Sequence, residues 1–204
     1  MQNIVTSEAE LDALYGKPAG PAVIKEIPHI SEHYRRFIEV SPFVVLATAG
    51  PEGLDCPPRG DPAGFVRVVD ERTVMLPDRR GNNRIDTLRN VVRDPRVALL
   101  FLIPGVGETL RVNGRGSLST HPELLQSFAV NGKSPATVLI VDVERVYFQC
   151  ARAIYRSHLW DPTRHVERKS LPSTGSILAN VSQGQVGGEP YDRELLPRQQ
   201  ATLY

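Results

Sequence analysis

Between Ser41 and Ser157 the chain is written almost entirely in strand-length apolar runs separated by turn signals. The runs are "PFVVLATA" (Pro42–Ala49), "FVRVVD" (Phe65–Asp70), "TVMLP" (Thr73–Pro77), "RVALLFLIP" (Arg96–Pro104), "TLRVNGRGSLS" (Thr109–Ser119) and "TVLIVDVERVYFQCARAIYRS" (Thr137–Ser157). The last is long enough for one or two strands. "GPEG" is a turn, "ERT" is a hairpin-length gap, and "LDCPPRGDPAG" reads as irregular. Within this region Asn82–Arg93 has helical spacing, with Ile85, Leu88, Val91 and Val92 three or four apart, and "PELLQSFAV" (Pro122–Val130) reads as a short helix. A doubly wound parallel sheet needs a helix between most strands. This pattern predicts instead a mainly β chain of the α+β class: a closed or partly closed antiparallel barrel of six or seven strands with peripheral helices.

The flanks differ in texture. Residues 1–40 read as a helical extension. Ser7–Tyr15 opens on a Ser7/Glu10 capping-box pattern, Ser31 caps a second helix ending at Val40, and the breaker-rich "KPAGPA" lies between them. Residues 41–162 form the barrel domain. In residues 163–204 the signals fade into a tail rich in Pro, Ser, Gly and Gln, expected to lie on the barrel or on a partner subunit.

Charge and motif content exclude several functions. A formal net charge of +1 gives no electrostatic case for nucleic acid or an anionic membrane surface. No apolar run approaches the length of a membrane span, and the acidic "MQNIVTSEAELDALYG" has no leader-like stretch. Cys56 and Cys150 are the only cysteines and are far apart, as expected of unpaired thiols in a reducing cytoplasm. No histidine is spaced as a metal ligand, no Gly-x-Ser-x-Gly nucleophile motif is present, and "GVGETL" lacks the Gly-Lys-Ser/Thr ending of a phosphate loop. No residue is assigned a catalytic role, and no metal is expected. Any redox chemistry falls to a cofactor.

One stretch stands apart. "MLPDRRGNNRIDTLRN" (Met75–Asn90) holds four arginines and no lysine, in a chain whose only lysines are Lys17, Lys25, Lys133 and Lys169. A strand leads through a small-residue turn into a helix read as starting near Asn82. The first turn of a helix has N–H groups without intrahelical partners and the positive end of the dipole, so it attracts anions. Asn82 is placed to cap it. Arg79, Arg80 and Arg84 are within reach of the same point, and a phosphate monoester is the natural guest. The same arginines, with Arg89, also read as a solvated face beside Asp78 and Asp86.

The order of four blocks, "CPPRGDPAGFVRV", "RTVMLPDRRGNNRIDTLRNVVRDPRVALLFLIPG", "TLRVNGRG" and "FQCARAIYRSHLWDP", resembles the pyridoxamine 5'-phosphate oxidase-like flavoproteins over about Ser41 to Pro162. The resemblance implies an FMN-binding split β-barrel that works as a homodimer, with two FMN molecules at the subunit interface. It implies that Asn82, Asn83 and Arg84 hold the FMN phosphate with Asp78, Arg79 and Arg80 alongside. Arg59 and Gly60 would meet the flavin ring and ribityl chain, with Arg111 as a further phosphate or ribityl contact. Arg156, Ser157 and Trp160 would come from the second subunit. True pyridoxamine phosphate oxidases carry Ser-Arg-Lys where this chain has Asn82, Asn83 and Arg84, and the tail "PRQQATLY" does not match their substrate clamp. The implied activity is therefore FMN-dependent oxidoreduction of an unnamed small-molecule substrate or electron donor. The alternatives are a flavin-storage or sensor protein without turnover, and a deazaflavin- or haem-binding relative on the same barrel.

Overall fold

A computed structural model describes residues 3–204. Its centre is one antiparallel sheet of eight strands. These are β1 (Phe43–Gly50), β2 (Gly53–Asp55), β3 (Pro58–Gly60), β4 (Arg67–Val68), β5 (Thr73–Pro77), β6 (Arg96–Leu102), β7 (Thr109–Ser119) and β8 (Val138–Gln149). The hydrogen-bonded order is β2-β1-β6-β7-β8-β5-β4, with β3 also on β1, and it does not close on itself. The antiparallel, α+β expectation holds, though helices contribute at least as much of the chain as strands. The count exceeds six or seven because the stretch read as irregular contributes β2 and β3, each three residues long.

Although "RVALLFLIP" is apolar throughout, burial along β6 alternates: Val97, Leu99 and Phe101 are buried, while their neighbours are half-buried or exposed. Leu110 and Val112 of β7, Val141, Val143 and Val146 of β8, and Val44 and Leu46 of β1 join them in one core. The last apolar run does not stay in the sheet to Ser157. Gln149 pairs with Thr109, the first residue of β7, so the ladder has no further partner. The chain then turns into helix α6, Arg152–Ser157.

The helices before the sheet are α1 (Glu8–Tyr15), α2 (Gly20–Ile24) and α3 (Glu32–Val40). α2 begins within the breaker-rich linker and runs past it; Pro21 is tolerated because it falls in the first turn, where its missing N–H is no loss. Ser7 accepts from the Glu10 N–H, and the Glu10 carboxylate returns to the N–H of Thr6 rather than of Ser7. Ser31 caps α3 as expected.

Helix α4 (Asp86–Arg93) fixes the site's position. It lies on β1 and β7 through Thr87, Asn90 and Val91, one face at helical spacing. Val92, expected on the apolar face, is 75% exposed. The docking is polar at its centre. Asn90 donates to Thr48 Oγ1 at 3.2 Å, and Thr87 Oγ1 donates to Asp55. The short helix α5 (Pro122–Ser127) follows β7. Residues 163–204, which showed no periodic signal, contain α7 (Thr174–Val181) and α8 (Gly188–Ala201), paired through Asp192, which accepts from Ser173 Oγ and the Gly175 N–H.

The β7–β8 ladder shifts register between Asn113 and Gly114. A Cβ at Gly114 would press on the Asp142 backbone oxygen, so only glycine fits this bulge. Gly114→Ala is expected to destabilise the fold by about 1–3 kcal/mol, measured by urea unfolding. Gly20→Ala, whose Cβ would meet nothing within 4 Å, is expected to change stability by less than about 0.5 kcal/mol.

Candidate functional site

β5 is an interior strand that ends in proline. Pro77 has no N–H, so its place beside Val138 adds no donor, and the ladder resumes one residue later, where the Asp78 N–H donates to Thr137 O at 2.9 Å. From there the chain leaves the sheet as a loop, residues 78–85. The Asn82 side chain accepts from the Arg84 N–H at 3.0 Å, closing an Asx turn, and Asn83 sits at φ 60°, a conformation asparagine tolerates better than most residues. These two features stop the helix from starting at Asn82. α4 begins four residues later, its N-cap is Ile85, and no side chain caps it. Asn82 therefore belongs to the loop rather than to the cap expected of it.

The loop forms one wall of a cleft of about 510 Å³. The facing walls are β3, with Pro58, Arg59 and Gly60, and the segment Ser134–Ala136 that leads into β8. Phe65, Pro77, Ile85, Leu88 and Pro135 supply apolar surface. The volume lies within the range of about 300–1,000 Å³ found for small-molecule sites, and the mix of apolar walls with a few convergent polar groups is their usual character.

Eight residues singled out in the sequence line this one cleft: Arg59, Gly60, Asp78, Arg79, Arg80, Asn82, Asn83 and Arg84. Their arginines differ in how they are held. Arg79 is committed: Nε donates to Asp61 Oδ2 at 2.7 Å and a terminal nitrogen donates to Phe128 O at 2.6 Å. The Asp61 side chain is 3% exposed, so this pair is built into the protein. Arg59 is loosely held, 3.8 Å from Asp78 Oδ1, with one bond to the Pro58 carbonyl. Arg84 donates to Asp86 Oδ2 at 2.6 Å, but its side chain is 79% exposed, and pairs so exposed contribute little. Arg80 is exposed and has no ion pair or hydrogen bond among the described residues. Arg59, Arg80 and Arg84 are thus the cations free to turn toward an anion. Burial raises the Asp78 carboxyl above its ordinary value, and the nearby Arg59 draws it back.

The other four candidates lie outside the cleft. Arg111 donates to the Tyr147 hydroxyl at 2.8 Å and stacks on its ring. Arg156 is exposed on α6, and Ser157 Oγ bonds back to Ile154 O. Trp160 Nε1 donates to Val106 O at 2.7 Å, which seats the indole on the β6–β7 loop of its own chain. Reading the sequence missed the segment Ser134–Ala136, the carboxylate of Asp61, and Tyr204, whose hydroxyl donates to Asp61 Oδ1 at 2.6 Å. The one local signal was "NG" at Asn131–Gly132, a tight turn ahead of β8 with both residues at positive φ.

Among the described residues no group of three metal-ligating side chains comes together, and no helix is long and apolar enough to cross a membrane. No curated protein matches the chain. Among solved structures it is similar to a HupZ variant of Group A Streptococcus (20% identity, 59% of this chain and 99% of that one, TM-score 0.48). It is also similar to General Stress Protein 26 of Bacillus anthracis (16%, 57% and 93%, TM-score 0.42) and to an FMN-binding protein of Syntrophomonas wolfei (13%, 56% and 86%, TM-score 0.42). The sequence model described as pyridoxamine 5'-phosphate oxidase matches residues 30–150. That span is well over half of the chain and holds the whole sheet and every wall of the cleft, so the chain belongs to the pyridoxamine 5'-phosphate oxidase family.

Proposed function

We propose that the chain is an FMN-dependent oxidoreductase that binds its flavin in the cleft between β3, the 78–85 loop and Ser134–Ala136, as a homodimer. The observation that carries this reading is the division among the arginines. Arg79 is fixed by Asp61, while Arg59, Arg80 and Arg84 stand around one cavity with donors to spare. Guanidinium groups match a phosphate monoester in charge and in bidentate geometry. The apolar surface of Phe65, Pro77, Ile85, Leu88 and Pro135 suits a planar ring system, so phosphate and ring both find fitting chemistry here. When bound, the flavin supplies hydride or electron transfer. The chain's own residues bind the phosphate, orient the ring and exclude water from the covered face.

In the dimeric reading Arg156, Ser157 and Trp160 serve the second copy's site. α6 offers Arg156 and Ser157 to solvent, and Tyr155 and Leu159 beside them are exposed apolar side chains. In a two-fold assembly both sites would form together.

Calorimetry with FMN and FAD tests the site, and FMN is expected to bind more tightly, because the arginine wall suits a terminal phosphate. One charge-assisted hydrogen bond is worth about 1.5–3 kcal/mol, so Arg84→Ala is expected to weaken FMN by about ten- to a hundredfold. Arg89→Ala, more than a turn further along, is expected to bind as the wild type does. Equal binding of FAD, or equal loss in both variants, would overturn the phosphate reading. Urea unfolding separates the anchored arginine from the free ones. Arg79→Ala leaves the Asp61 carboxylate buried without its cation and is expected to cost about 3–5 kcal/mol. Arg80→Ala is expected to stay within about 0.5 kcal/mol. Light scattering of the flavin-loaded protein is expected to give twice the chain mass of 22.6 kDa, and a fully loaded monomer would refute the shared site.

A further inference from the structure

We propose that Tyr204 is a positioning residue for the cofactor cleft: a clasp, carried on the tail beyond α8, that ties two walls of the cleft together and holds Arg79 between them. The inference rests on the reading that this cleft takes the flavin.

The clasp spans segments far apart in the sequence. The Tyr204 hydroxyl donates to Asp61 Oδ1 at 2.6 Å, and Asp61 directly follows Gly60 of one wall. Lys133 Nζ donates to the Tyr204 main-chain oxygen at 2.9 Å, and Lys133 directly precedes Ser134 of the opposite wall. Between these contacts the Arg79 guanidinium lies 5.6 Å from the centre of the tyrosine ring, with its other bonds going to Asp61 and Phe128 O. One residue therefore meets a neighbour of each of two walls, through its hydroxyl and its main-chain oxygen, and its ring meets an arginine of the third.

The lever on the second wall is stiff. Val130 and Lys133 exchange both backbone hydrogen bonds, at 3.0 and 2.9 Å, across a two-residue turn with Asn131 at φ 52° and Gly132 at φ 75°. Lys133 cannot move without carrying this turn, and Ser134 with it. The tail itself is otherwise loosely attached. α8 buries no residue and α7 buries only Gly175. Among the described residues, the hydrogen bonds that tie residues 170–204 to any part of the chain before Glu167 are the two at Tyr204. A segment held at one such point opens and closes as a unit.

The clasp has a pH signature. The charged groups acting on the Tyr204 hydroxyl are the Asp61 carboxylate and the Arg79 guanidinium, while the Lys133 ammonium bonds the residue's main-chain oxygen. The hydrogen bond to Asp61, more than any other cause, raises the hydroxyl above its ordinary value of 10.0, because ionisation would set tyrosinate against carboxylate. A folded-state value raised in this way means the clasp is fully formed below pH 10.0 and is lost as pH rises through the raised value.

The test uses the full chain, first without and then with FMN. In flavin-free protein, amide exchange over residues 131–136 is expected to be about tenfold or more faster in Tyr204→Ala than in wild type, the scale of one hydrogen bond to a charged group. Tyr204→Phe keeps the ring and loses the hydroxyl, and is expected to fall between them. Unchanged exchange in Tyr204→Ala overturns the clasp. With FMN loaded, release followed by the rise in flavin fluorescence is expected to quicken in the same order. Wild-type release is expected to accelerate above pH 10.0, with no such step in Tyr204→Phe. Faster exchange with unchanged release overturns the role in positioning the cofactor. A wild type that binds no FMN overturns the flavin reading, and the exchange comparison still decides the clasp.

Discussion

Val138 is where the fold is tied. It is fully buried, and it pairs with Ser119 on one side and with Pro77 on the other. The first contact begins the long β7–β8 ladder that organises the core. The second brings the end of β5 into line with the entry to β8, so the loop after Pro77 and the segment before Val138 must leave the sheet side by side. The cleft is the space between those two departures, with β3 closing the third side. Its location thus follows from one pairing register. A slip of one residue there would turn the core side chains of β8 outward and separate the two walls. The junction also leaves the Thr137 hydroxyl buried without a hydrogen-bond partner among the described residues, at a typical cost of about 1–3 kcal/mol.

Around that space the charged groups have separate tasks. The Asp61–Arg79 pair is buried and well bonded on both sides, and it behaves as part of the framework. The Arg84–Asp86 pair is short but lies in water, where such contacts exchange readily. Distance alone would rank the two as equals. Burial separates a residue that holds the wall from one free to leave its partner for a ligand.

How much of this could be read in advance depended on the range of the interaction. β5 and β7 match their apolar runs end to end, because a period of two over five or more residues is a local signal. β2 and β3 escaped because three residues cannot show a period. The start of α4 was misplaced by four residues because Asn82 and Asn83 prefer a turn that the apolar spacing does not register. The cleft candidates on the 78–85 loop were legible because they are contiguous. Ser134–Ala136, Asp61 and Tyr204 were not, since only the β5–β8 pairing and the tail's return bring them near. The helices of the tail were missed for a different reason. α7 and α8 pack chiefly on each other and bury almost nothing, so they carry no strong apolar stripe.

The small strands that were hardest to see have a consequence for how this protein meets others of its kind. One margin of the sheet is β2 and β3, three residues each, and the other is β4, two residues long. Long β-strands with unpaired N–H and C=O groups invite a foreign strand to add on, and these stubs give it almost no length to grip. The interior strands, up to twelve residues long, are thereby shielded from runaway stacking into fibres. Any lasting association has to be made by side chains on the faces and helices, where shape and charge decide which surfaces match.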